Sequence, residues 1–117
     1  NDLLYNIPFL YEGPIENINV AVAGVQQYIF NPLEQRYETI VEKLSSHRAN
    51  LLLCTVYEGD LEGSAMYDDI AISSRTMLSL FNDSVYKTHN MFKTGILELR
   101  HIFTNKEDYA NPIEPSH

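Results

Sequence analysis

The run Leu51-Leu52-Leu53-Cys54-Thr55-Val56-Tyr57 constrains this chain more than any other feature. It is apolar and shows no alternation. Such a segment suits a strand buried on both faces, as in a parallel sheet covered by helices. Its flanks fit that expectation. Asn31 to Arg48 reads as a helix, with Asn31 at the N-cap, Pro32 at the first helical position and Glu34 completing a capping-box-like start. Leu33, Tyr37, Ile40, Val41 and Leu44 recur at helical spacing and define one apolar face. His47 and Arg48 fall in its last turn, where positive charge opposes the helix dipole. After a loop over residues 58 to 66 with Gly59 and Gly63, Asp68 to about Asn90 reads as a long helix. Its inner face is expected to carry Ile70, Ser74, Met77, Leu78, Phe81 and Val85. Lys93-Thr94-Gly95 ends that connection, and Ile96 to Leu99 is a second short strand. Helix, strand, helix and strand in this order imply parallel strands joined by right-handed crossovers. The fold class is therefore α/β.

The remaining segments add less. Residues 1 to 16 read as an unusually apolar loop, punctuated by Pro8, Gly13 and Pro14. Residues 17 to 29 begin with alternation at Val20 and Val22 and continue at helical spacing to Ile29, so a short helix is expected. No repeat or low-complexity tract occurs. At 117 residues the chain is enough for one domain and not two. Two strands make a thin sheet for this class, so the chain reads as part of a larger domain.

Charge narrows the partners. Sixteen acids against 8 bases give a net charge of −8. Such a surface repels phosphate backbones and anionic lipid, and the basic residues form no stripe, so no nucleic acid partner is expected. No apolar run approaches the ~18 residues that span a bilayer. Cys54 is the single cysteine, so an intrachain disulfide is excluded. Within its apolar run it reads as a small buried hydrophobe rather than a nucleophile, because nothing nearby supplies positive charge to lower its pKa.

In an open α/β sheet, ligands bind beyond the carboxyl ends of the strands. Here those ends lead into the loop from Tyr57 and the segment from Arg100 to His117. In the second, Pro112 and Pro115 stiffen the backbone around Glu114, and His117 follows three residues later. A carboxylate and an imidazole so placed can form an orienting hydrogen bond, leaving the histidine as a general base towards a third group. A polar surface loop would have the same spacing. His47, His89 and His101 read as helix-end, helix-surface and post-strand residues. No His, Cys or acidic cluster has metal-ligand spacing in a supporting context, and no phosphate-cradling glycine loop is present, so neither metal nor cofactor is expected. No serine lies in a Gly-x-Ser-x-Gly or Gly-Asp-Ser context; Ser64, after Gly63, is the nearest approach.

The stretch Ile96-Leu97-Glu98-Leu99-Arg100, followed by Tyr109-Ala110-Asn111-Pro112-Ile113-Glu114-Pro115-Ser116, resembles the C-terminal region of a bacterial branch of SGNH (GDSL-like) serine ester hydrolases. Leu53-Cys54-Thr55-Val56-Tyr57 resembles the strand before that family's long helix, and Leu80-Phe81-Asn82-Asp83 part of the helix. Asn1-Asp2 resembles the end of its Gly-x-Asn-Asp block. The resemblance implies the C-terminal part of a flavodoxin-like three-layer α/β/α sandwich, with the serine block upstream of residue 1. It implies hydrolysis of a small-molecule ester, with His117 as general base, Glu114 as its acid partner and Asn1 as oxyanion-hole donor. Glu114 stands where the family has Asp. On this reading the 117 residues alone are inactive. The alternative is a non-catalytic α/β module for protein contacts, or a pseudoenzyme. In that case Glu114 and His117 would be scattered or buried and an apolar patch exposed.

Overall fold

A computed structural model describes residues 17–47 and 50–116. They belong to two compact units, the first ending at Leu51 and the second beginning at Leu52.

In the first unit, helix α1 spans Ile18–Val25 and helix α2 spans Asn31–Ser45, joined by a five-residue π-helical turn over Gln26–Phe30. The short helix expected within residues 17 to 29 is present. Its cap is Asn17, whose Oδ1 accepts from the backbone N–H of Asn19 at 2.9 Å. Asn31 is not the N-cap expected of it. Its backbone is helical, and its own N–H donates to the Gln26 carbonyl across the widened turn. Pro32 supplies the physical reason. Inside a helix, its ring collides with the carbonyl four residues back and it offers no N–H. A π turn immediately before it makes room without ending the helix. The Asn31 side chain instead accepts from Gln26 Nε2 at 2.8 Å. Of the expected apolar face of α2, Val41 is buried, Leu33 and Tyr37 are half-buried, and Ile40 and Leu44 are exposed. The helix ends at Ser45 rather than Arg48, which lies outside the described residues.

The second unit is a parallel β-α-β arrangement, which makes the chain mixed α/β. Strand β1 (Leu52–Cys54) pairs with β2 (Gly95–Leu97) in the register Leu52–Gly95, Leu53–Ile96, Cys54–Leu97. Between them a 3₁₀ turn at Asp68–Ile70 leads into helix α3 (Ala71–Phe92), which packs on both strands. From α3, Ala71, Ser74, Met77, Asn82, Ser84, Val85 and Thr88 are buried, and Leu78 and Phe81 are half-buried, as is Ile70 of the preceding turn. Full burial of a side chain such as Val85 contributes roughly 1.5–3 kcal/mol.

The expectation that β1 is buried on both faces is corrected. Leu53 and Thr55 are buried, whereas Leu52 is 61% exposed and Cys54 and Val56 are also exposed. Cys54 is therefore not a buried hydrophobe. The run is apolar throughout, but only one face of this sheet is covered within the unit. Beyond Leu97 the chain enters a 3₁₀ turn at Leu99–His101, so Leu99 is not part of the strand. No described helix is long and apolar enough to cross a membrane.

Candidate functional site

The carboxyl ends of β1 and β2 are fixed by side chains that continue what the backbone ladder begins. Thr55 N–H donates to the Leu97 carbonyl, the last backbone bond of the pair. One residue on, Asn82 from α3 takes over. Its Oδ1 accepts from Val56 N–H and its Nδ2 donates to the Val56 carbonyl, each at 2.8 Å, as a neighbouring strand would. Glu98, directly after β2, is a hub. It accepts from Thr55 Oγ1 at 2.6 Å and Tyr86 Oη at 2.8 Å. It also accepts Nε and Nη2 of Arg100 at 2.7 and 2.6 Å, a bidentate clamp. Arg100 foremost, then Thr55 and Tyr86, hold the Glu98 carboxyl far below the ordinary carboxylate range. The Tyr86 hydroxyl is in turn pushed up by its bond to Glu98.

Beyond this hub the two exit segments form one cleft of about 340 Å³. Glu58, Gly59 and Asp60 line it from the β1 side, Arg75 from α3, and Arg100 and residues 103–106 with Tyr109 from the β2 side. These are the two segments that the strand order marks as ligand-facing. Tyr57, Phe103 and Tyr109 stack at ring separations of 4.9 to 6.2 Å and brace the wall. Burial pushes the Tyr109 hydroxyl up, and it donates to the Phe103 carbonyl at 3.1 Å. Arg75 bonds Glu62 at 2.8 Å and Glu58 at 2.9 Å. Asp60, Arg75 and Lys106 were not identified from the sequence. They lie far apart along the chain, and no local pattern joins them.

The proposed acid, Glu114, lies on a loop bolted to the β1 exit. Tyr57 Oη donates to the Ile113 carbonyl at 2.9 Å, and Asp60 N–H donates to the Pro112 carbonyl at 3.0 Å. Tyr109 and Pro115 form an antiparallel bridge that closes the loop. Asn111 Oδ1 accepts from the N–H groups of Ile113 and Glu114, both at 2.9 Å, an Asx-type turn. Its Nδ2 donates to Glu114 Oε2 at 2.7 Å. Glu114 is exposed and does not line the cleft. Asn1 and His117 lie outside the described residues.

The other histidines are dispersed. His47 and His101 are exposed, and half-buried His89 contacts Thr94 Oγ1 at 3.4 Å. Among the described residues, no three His, Cys, Asp or Glu side chains gather as a metal centre would require. Comparison with protein-family models, with curated proteins and with solved structures found no match for this chain.

Proposed function

We propose that this chain supplies the acid–base loop and an oxyanion donor of a serine ester hydrolase, within an α/β/α sandwich of flavodoxin type. His117 acts as general base, Glu114 orients it, and Asn1 donates to the oxyanion. The nucleophilic serine comes from a segment outside these 117 residues. In the first step the serine hydroxyl adds to the ester carbonyl and gives its proton to His117. The tetrahedral oxyanion accepts from Asn1, an interaction worth roughly 3 kcal/mol. Collapse expels the alcohol, which takes the proton from His117. Water then repeats the sequence and releases the acid.

The observation that carries this reading is the fixing of the Glu114 loop at the carboxyl end of β1, by Tyr57 through Ile113 and by Asp60 through Pro112. General acid–base chemistry needs such a stiff support, because the base must stay within hydrogen-bond reach of its target. The test is turnover of p-nitrophenyl acetate by the complete polypeptide that contains this chain. His117→Ala is expected to lower kcat by about 10³-fold or more, and Glu114→Gln by less. Undiminished turnover in both variants would remove the proposed site.

A second reading, a non-catalytic interaction module, draws on the exposed apolar residues Leu52 and Leu97 of the sheet and Val56 just beyond β1. It predicts that the complete polypeptide shows no turnover of any simple ester.

A further inference from the structure

We propose that the cleft at the carboxyl ends of β1 and β2 binds a small dipolar ligand, an α-amino acid or a molecule with the same ammonium and carboxylate pair, held between Asp60 and Lys106. This goes beyond the ester-hydrolase reading and does not depend on it.

Three of the chain's eight basic residues, Arg75, Arg100 and Lys106, line this one cleft, together with Glu58 and Asp60. Most of these charges already have partners. Arg75 is shared by Glu58 and Glu62, which leaves one surplus carboxylate charge beside that wall, and Arg100 is neutralised by Glu98. Two lining groups, of opposite sign, have no such partner. Neither the Asp60 carboxylate nor the Lys106 ammonium has an ion pair among the described residues, and they do not pair with each other. A simple anion placed here would gain Lys106 but face Asp60; a simple cation would have the reverse problem. A ligand with both charges satisfies both walls.

The surroundings fit the same class. Arg100 keeps N–H donors beyond the two given to Glu98, and that clamp holds its guanidinium in one orientation, so a carboxylate bound by Lys106 gains a preorganised second donor. Phe103 and Tyr109, packed against each other and against Tyr57, also line the cleft. A volume of about 340 Å³ corresponds to roughly eleven waters at ~30 Å³ each, enough for one amino acid.

The test uses the complete polypeptide that contains this chain, labelled with ¹⁵N, and three probes that share a phenyl ring on a two-carbon chain: L-phenylalanine, 3-phenylpropionate and phenethylamine. L-Phenylalanine is expected to shift the amide signals of Gly59, Asp60, Asn105 and Lys106 saturably at millimolar concentration. Each single-charge analogue is expected to bind about tenfold more weakly, the loss of one charge-assisted contact. Lys106→Gln should weaken L-phenylalanine to the level of phenethylamine, and Asp60→Asn to the level of 3-phenylpropionate. The analogue series on the unmodified chain stands even if a variant folds poorly. Absence of saturable shifts, equal binding of either analogue, or unchanged affinity in both variants overturns the proposal. None of these readouts involves turnover, so failure here is distinct from failure of the hydrolase reading.

Discussion

Gly59 and Gly63 share a backbone conformation and differ in surroundings. Both have left-handed φ, +76° and +75°. A Cβ on Gly59 would lie 2.7 Å from the Pro112 carbonyl oxygen, whereas one on Gly63 would meet nothing within 4 Å. Alanine at Gly63 therefore incurs only the left-handed strain, about 1 kcal/mol. At Gly59 it must also displace the backbone that carries the Glu114 loop, so a loss of about 2–3 kcal/mol is expected. Urea unfolding of Gly59→Ala and Gly63→Ala measures the difference, and equal losses would contradict the close approach seen here. The sequence marks both residues as turn glycines. Only the fold separates one that needs space from one that needs only φ.

At the scale of elements, helix periodicity was legible and helix ends were less so. Asn31-Pro32 has the look of a start, and the chain passes through it on a π turn. In the second unit, α3 closes on Lys93 in the left-handed conformation (φ 55°), a position that usually holds glycine. Its N–H donates to the His89 carbonyl, which completes the cap. Lys93→Gly is expected to raise stability by about 1 kcal/mol, because it relieves the Cβ strain and leaves the cap bond intact. Thermal unfolding checks this, and a lower midpoint in the variant would mean that the lysine side chain makes a contribution larger than its strain. The sheet shows the same division. The apolar run correctly marked a strand, but which face is covered depends on where α3 lies.

At the scale of the whole molecule, the response to acid follows from carboxylates whose pKa values folding lowers. Glu98 and Asp108 both have carboxyl pKa values below the ordinary range, Glu98 mainly through Arg100 and Asp108 through the N–H groups of Asn105 and Thr104. A depressed folded pKa means that the unfolded chain takes up the proton first. The stabilisation is therefore complete above the ordinary glutamate value of 4.5 and is lost as pH falls below it towards the folded value. Glu98→Gln is expected to cost about 2 kcal/mol at neutral pH, since it removes charge from a hub of hydrogen bonds. It should also make the acid limb of a stability–pH curve shallower. Parallel acid limbs for the two proteins would show that Glu98 is not responsible.

The amino-acid sequence determined the local features of this protein: which stretches are helical, where the strands run, the α/β order, and the two segments beyond the strand ends. These follow from contacts within a few residues, which periodicity and turn chemistry record directly. Glu114 on a proline-stiffened loop was legible for the same reason, as its ties to Asn111 span three residues. The tertiary structure alone decided that Thr55 meets Glu98 across 43 positions, that Asn82 clamps Val56 across 26, and that Asp60, Arg75 and Lys106 share one cleft. Such partners are joined by packing rather than by spacing, so each residue in isolation looks like an ordinary polar side chain until the chain has folded.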